Sequence, residues 1–439
     1  MVIWKLRQGA DRRIRGGHPW VFSNELQSSP KGVGLGTFIE LQDNRGAFLA
    51  RGYGNPHSLI SFRALSFNPE VRDPLGFPFL CQRLIQAWQV RKNAGFRGSF
   101  RLCFGEADFL PGLVLDYYRV EQNGQQAQVF AAQLVTAGLD KALQDTEEFF
   151  KYLVEEAQKA GLTELGWEQT ALVLRNDVNV RKLEGLEVQD PRTLKNIPGL
   201  DLSKVDILLN SASDAGIVRM QCDLAEGQKT GFFLDQTQNI FQAVNIFKHW
   251  AQAHPELKAQ PVKVLDLCCY VGHWATQITR ALKSEGFEVE VHLGDVSESA
   301  LNFAKLNAER EGARVSVHKV DVLEGLDRFE SRSFDIIIAD PPAFIKAKKD
   351  IPKGQHAYLK LNTQAFRLIK PHRFVVSCSC SGLLDEESFK EAIRKSIQRN
   401  GWQARNLTRG GHAADHPTLL QFPEGFYLKM FTHFVEPGL

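Results

Sequence analysis

Apolar residues in this chain follow two rhythms, and the change between them marks out its parts. In residues 1–70, runs such as FIELQD, AFLARGYG and LISFRALSF alternate apolar and polar positions between Gly, Asn and Pro turns. That period of two predicts the strands of a small β-barrel-like module. The loop SFNPEVRDPLGFP follows it. Over residues 75–190, LCQRLIQAWQVRKNAGF and LDKALQDTEEFFKYLVEEAQKAG carry apolar residues at helical spacing, while ALVLRND reads as a strand, predicting a central α+β domain. From residue 191 to 439 strands and helices alternate in βαβ order. KVLDLC is a strand and a helix begins near His273; VEVHLGD ends at Asp295, and Ser297 caps a helix that stops before Gly312. VSVHKVD ends at Asp321 and FDIIIAD at Asp340. A helix closes at FRLIK, FVVSC is a strand, and DEESFKEAIRKSIQRNG is a helix with Phe389, Ile393 and Ile397 on one stripe. WQARNLT and GFYLKMFTHFV end the chain as a hairpin. The class is therefore α/β, with a doubly wound, Rossmann-like sheet as its largest part.

Three segments carry the chemistry: KVLDLCCYVGHW, DIIIADPPAF and FVVSCSCSG. Each is an apolar, largely β-branched run that stops abruptly in polar, Gly, Pro or Cys residues, as a buried parallel strand does when it delivers side chains to a crevice at its carboxyl end. The first would cradle a nucleotide-like cofactor, the second offers a carboxylate beside a stiff Pro-Pro, and the third offers a thiol. Together they point to a methyltransferase that attacks a base through cysteine.

Length and charge narrow the setting. At 439 residues, two or three domains are expected, and a formal charge of +2 gives no global attraction to a polyanion, so nucleic-acid contacts must come from local basic patches. Four of the seven cysteines sit in two of the key segments, unlike a disulfide framework, and the CC and CSC spacings lack the second ligand pair of a zinc site. No metal is expected. No stretch has the length and apolarity of a membrane span, and MVIWKLRQGADRRIRGG has no apolar run after its basic residues, so the expected location is cytoplasmic.

The cofactor follows from what the first turn lacks. A dinucleotide pyrophosphate usually needs a GxGxxG turn, whereas DLCCYVGHW keeps a single glycine, Gly272. S-adenosylmethionine has no phosphate and asks instead for carboxylates at its ribose hydroxyls and near its amino group. Asp266, Asp295 and Asp321, at or near three successive strand ends, suit those roles, with Cys268, Tyr270 and Gly272 in the turn itself.

The chain resembles the PUA-domain-containing, S-adenosylmethionine-dependent RNA methyltransferases of the large-subunit (23S) ribosomal RNA cytosine-5 type. The resemblance rests on RGGHPWVFSNE, FLARGYGNP, GEADFLPGLVLD, GQKTGFFLDQ, DPPAF, AYLKLN, SCSG and ADHPTLLQFPEGFYLKMF, in that order along nearly the whole chain. It implies an N-terminal PUA domain, a central domain and a class I methyltransferase domain, a cofactor contact from Gln236, and ribosomal RNA as partner, with a homodimer as one possible assembly. Departures occur at Cys268 and His273, where the family has an aromatic residue and a second glycine, and at Thr237, where it has arginine.

Methylating C5 of cytosine requires a thiolate at C6, because C5 is otherwise a poor nucleophile. Cys380 is the expected nucleophile and Asp340 the group that hydrogen-bonds the base's amidine edge, with Phe344 stacking on an extruded base. Cys378 lies one pleat earlier, inside the apolar strand. Phosphate contacts are expected from Arg12, Arg13 and Arg15 and from Lys346, Lys348 and Lys349 in KAKKDIPKG, read as a mobile lid that orders over substrate. His416 reads as a turn-stabilising residue, and Tyr358 and Asn362 as either packing or substrate contacts. The alternatives are a guanine methyltransferase that needs no thiol and an RNA-binding assembly factor with weak turnover.

Overall fold

The computed structural model describes residues 2–214 and 216–438. The chain forms two compact units, one of Met1–Leu208, Cys222–Leu234 and Ala414–Gly425, the other of Leu209–Gln221, Asp235–Ala413 and Phe426–Leu439.

The first unit begins with five strands, β1 (Val2–Lys5), β2 (Trp20–Phe22), β3 (Thr37–Gln42), β4 (Phe48–Gly54) and β5 (Ile60–Ser66), in the order β1-β3-β4-β5-β2. Register shifts in the β2–β5, β3–β4 and β4–β5 pairs bend the sheet. Its two edges then meet: Leu6, after β1, bridges Leu26, after β2, and Gln27 N–H donates to the Lys5 carbonyl at 2.8 Å. The curled sheet holds Trp4, Leu6, Ile39, Leu41 and Phe62 inside, so the expected barrel-like module is present.

A second sheet contains β6 (Phe100–Phe104), β7 (Leu113–Gln122), β8 (Gln125–Leu134), β9 (Thr170–Leu174), β10 (Arg192–Lys195), β11 (Val205–Asn210) and β12 (Ile217–Cys222), ordered β10-β9-β8-β7-β11-β12 with β6 on β7. Helices Phe77–Asn93 and Thr146–Lys159 contribute Leu84, Trp88, Phe149, Phe150 and Leu153 to its core. The methyltransferase part was expected to start at residue 191, yet Arg192 pairs with Leu174 and Ile207 with Val120, so β10 and β11 complete the central sheet instead. Short strands do not carry in their own alternation which of two sheets will accept them.

The second unit contains β13 (Val262–Leu267), β14 (Val289–Asp295), β15 (Arg314–Lys319), β16 (Phe334–Ala339), β17 (Ile369–Ser379), β18 (Trp402–Gly410) and β19 (Lys429–Pro437). Their order is β15-β14-β13-β16-β17-β19-β18, parallel as far as β17 and antiparallel through the last two. Phe334–Ala339 is buried at every position, because helices cover both faces. Ile336 and Ile338 pack with Phe247, Trp274 and Ile278 on one side, and Ile337 packs with Leu361, Phe366 and Phe389 on the other. The chain runs outward from β13 to β15 and returns to β16 beside β13, which puts a topological switch, and hence a crevice, at the carboxyl ends of β13 and β16.

One core residue has a pH consequence. His433 in β19 is buried, neither ring nitrogen has a hydrogen-bond partner, and burial pushes its imidazole down to about 4. An unfolded imidazole takes a proton near pH 6.5, so between about 6.5 and 4 the unfolded chain binds more protons and stability falls as pH falls. His433→Phe is expected to shrink the stability difference between pH 7 and pH 5 by about 2 kcal/mol, read from urea midpoints. An unchanged difference would rule His433 out as its source.

Candidate active site

The ends of β16 and β17 lie side by side, with Ala339 paired to Ser377. Asp340 follows β16 directly, and both its oxygens are held: Gln236 Nε2 donates to Oδ1 at 2.8 Å and Trp274 Nε1 to Oδ2 at 3.0 Å. Gln236 precedes helix Thr237–Ala253 and is fixed by Asn239, whose Nδ2 donates to its Oε1 at 2.7 Å. Trp274, second residue of helix His273–Ser284, needs an acceptor for its buried indole N–H, and the carboxylate supplies one. Gln236, expected at the cofactor, thus has its amide on Asp340.

Beside this carboxylate, the Cys380 thiol donates to the Pro341 carbonyl at 3.6 Å and is partly exposed. Cys378 is 1% exposed, and burial pushes its thiol well above the usual range, with the Asp340 charge adding to the effect. Phe344 is half-buried, its ring 4.9 Å from that of Tyr358. Tyr358 and Asn362 are fully buried and brace the strand end: the Tyr358 hydroxyl meets Ser381 Oγ at 2.9 Å, and Ser377 Oγ donates to Asn362 Oδ1 at 2.5 Å.

The turn after β13 reaches its shape through left-handed backbone at Cys268 (φ 59°), Tyr270 (φ 48°) and Gly272 (φ 81°). Non-glycine residues at such angles cost about 1–2 kcal/mol each, and hydrogen bonds offset this. Asp295 Oδ2 accepts the Tyr270 N–H at 3.0 Å, and the Gly294 carbonyl accepts the Cys268 N–H at 2.7 Å. Asp266 is fully buried; one oxygen accepts the Ala275 N–H at 3.1 Å, the other has no partner, and burial raises its carboxyl well above the usual range. An orphaned acid under a polar turn, with Asp295 beside it on the next strand, suits a ligand carrying an amino group and a diol. Asp321, two residues past β15, is exposed and accepts the Leu323 N–H at 2.8 Å. A Cβ at Gly272 would lie 3.0 Å from Ala304 Cα. Gly272→Ala is therefore expected to cost about 1–3 kcal/mol of stability and to weaken S-adenosylhomocysteine binding about tenfold or more, about 1.4 kcal/mol. Wild-type melting and calorimetric affinity in this variant would contradict that account.

Lys346, Lys348 and Lys349 are exposed, in the segment expected to be a lid that orders over substrate. Lys348–Asp350 forms a helical turn, Asp350 accepts the Ala347 N–H at 3.1 Å, and Pro352 starts helix Ile351–Leu368. Arg12 is exposed. Arg15 pairs with Asp11 at 2.5 Å and Asp43 at 2.7 Å, and Arg13 contacts His18 and Glu424, so these two arginines are partly neutralised. His416 is buried against Asp415 at 2.9 Å, a structural placement. Reading the residues alone missed Trp274; its signal was an indole directly after the turn, needing an acceptor. Among the described residues, no helix is long and apolar enough to cross a membrane, and no group of three or more His, Cys, Asp or Glu is arranged to hold a metal.

Comparison with known proteins agrees with this architecture. A family model described as a PUA-like domain matches residues 5–67, and one described as a methyltransferase domain matches residues 258–418. "Ribosomal RNA large subunit methyltransferase I" of Vibrio cholerae is 30% identical over 97% of both chains, and the protein of that name from Aeromonas salmonicida is 31% identical over 98% of both. The structure of "a putative sam-dependent methyltransferase from Streptococcus mutans" covers 99% of this chain and 100% of its own at TM-score 0.69 and 16% identity, a likeness of fold. With a PUA-like domain at the N-terminus and a Rossmann-like methyltransferase domain behind it, the chain belongs to the ribosomal RNA large subunit methyltransferase I family.

Proposed function

We propose that this protein transfers a methyl group from S-adenosylmethionine to C5 of a cytosine in large-subunit ribosomal RNA, with Cys380 as nucleophile. The observation that carries the reading is a partly exposed thiol beside a carboxylate whose two oxygens are already held by Gln236 and Trp274. S-adenosylmethionine supplies an electrophilic methyl on a sulfonium. The Cys380 thiolate adds to C6, and the electron pair of the C5–C6 double bond moves to C5, which takes the methyl. Asp340 accepts from the protonated amidine edge of the base and so stabilises the ring as it gains charge. Loss of the C5 proton to a base then re-forms the double bond and expels the sulfur. Pro341 and Pro342 stiffen the loop that aims Asp340, and Phe344 offers a face to an extruded base.

Local basic groups support an RNA substrate where net charge does not. A cleft of about 420 Å³ on the PUA-like module is lined by Arg7, Lys31 and His57 among serines and prolines. Lys346, Lys348 and Lys349 stand exposed after the Asp340 loop, suited to phosphate contacts. A cytoplasmic setting goes with that substrate.

The test is a covalent trap. Wild-type protein is incubated with S-adenosylmethionine and unmodified ribosomal RNA containing 5-fluorocytosine, and a denaturation-resistant adduct is sought. Fluorine cannot leave as a proton does, so thiol chemistry stalls as a stable complex. Methyl transfer to unfluorinated RNA with no adduct on the fluorinated one would overturn the cytosine-5 reading in favour of a base methylated without covalent attachment.

A further inference from the structure

Lys429 opens β19, and its antiparallel register sets it opposite Ser379, the last residue of β17. The side chain then reaches along the strand: its Nζ donates to the Ser381 carbonyl at 3.0 Å and to the Tyr427 carbonyl at 2.9 Å. Backbone opposite residue 379 and ammonium on the carbonyl of residue 381 bracket Cys380. Two of the three ammonium N–H groups are used by these carbonyls, leaving one. Lys429 is half-buried, and among the described residues no carboxylate lies within ion-pair distance of it. A partly desolvated cation without a carboxylate partner calls for negative charge nearby. Burial pushes the Lys429 amine below its usual range, and the charge of Cys380 is the largest influence pulling it back, ahead of Asp385 and Glu386. Cys378 and Tyr358 also feel the charge of Cys380, and both are acids whose ionised forms oppose a thiolate.

We infer that Lys429 is the counter-ion of the Cys380 thiolate, a positioning residue that favours loss of the thiol proton to water before attack and stabilises the sulfur anion when the methylated base is released. The inference rests on Cys380 being the nucleophile of the proposed reaction.

The experiment is carried out on the full chain without RNA. Iodoacetamide labelling of Cys380 is followed across the thiol titration range, resolved by peptide mass spectrometry so that Cys268, also partly exposed, is counted separately. Lys429→Gln keeps N–H donors for the two carbonyls and removes the charge; Lys429→Arg keeps the charge. Lys429→Gln is expected to move the labelling midpoint up by about one pH unit and to slow labelling at neutral pH about tenfold, with Lys429→Arg restoring most of the loss. Thermal melting checks that both variants fold, and if Lys429→Gln does not, a lowered midpoint in wild type relative to an ordinary thiol, retained in Lys429→Arg, decides. A wild-type midpoint in folded Lys429→Gln, or an ordinary midpoint in wild type, overturns the pairing. The midpoint shift without any 5-fluorocytosine adduct would leave the pairing standing while the proposed reaction falls; an adduct with no midpoint shift would do the reverse.

Discussion

Cys380→Ala is expected to lower methyl transfer to large-subunit ribosomal RNA by roughly a thousandfold or more, equivalent to about 4 kcal/mol of transition-state stabilisation, and to abolish the 5-fluorocytosine adduct. The size follows from the chemistry: without sulfur on C6, C5 stays in the aromatic ring and has little electron density to offer a sulfonium methyl. The variant should fold normally, since the thiol is partly exposed and its hydrogen bond to the Pro341 carbonyl is long. Cys378→Ala supplies the contrast. That thiol is buried in the core with Ile336, Ile338 and Met430, so its removal should cost about 1–2 kcal/mol of stability through a small cavity while leaving adduct formation intact. Methyl transfer within tenfold of wild type in Cys380→Ala would remove covalent catalysis from consideration. An adduct that disappears in Cys378→Ala and persists in Cys380→Ala would reverse the assignment of the two thiols.

What the sequence made legible was the part written in local periodicity. The Ser297 cap, the helix start at His273 and the end of β14 at Asp295 all stand where the pattern put them, because each depends on residues within one or two turns. The apolar run FDIIIA, buried at every position, announced a central parallel strand. Partnerships between distant segments were not legible. Nothing in TLK or VDILLN says which sheet they join, and nothing around Gln236 says that its amide will meet Asp340 across 104 residues of chain. Nothing local singles out Lys429, since only the β17–β19 register sets it opposite Ser379. In the basic run from Lys346, the Asp350 cap and the proline in the first helical turn lead the chain into the helix.

Asp340→Asn is the second large effect expected, a fall in kcat of about a hundredfold to ten-thousandfold. Two consequences of the same geometry combine. A carboxylate presents two acceptor oxygens, and here each faces an N–H, from Gln236 and from Trp274. An amide has one oxygen and one NH2, so whichever way the substituted side chain turns, one donor faces another. A buried donor left unsatisfied costs about 1–3 kcal/mol, and the side chain is driven out of its working orientation. The amide also lacks the negative charge that would favour the protonated amidine edge of the base, which is the larger loss. Gln236→Leu and Trp274→Phe separate the two effects, since each removes one donor and keeps the carboxylate; each should cost about tenfold, about 1.4 kcal/mol, through orientation alone. RNA affinity should change little in any of the three, because phosphate contacts dominate it. If Asp340→Asn turns over no more slowly than Gln236→Leu, the carboxylate serves only to hold its neighbours, and activation of the base must come from another group in the crevice.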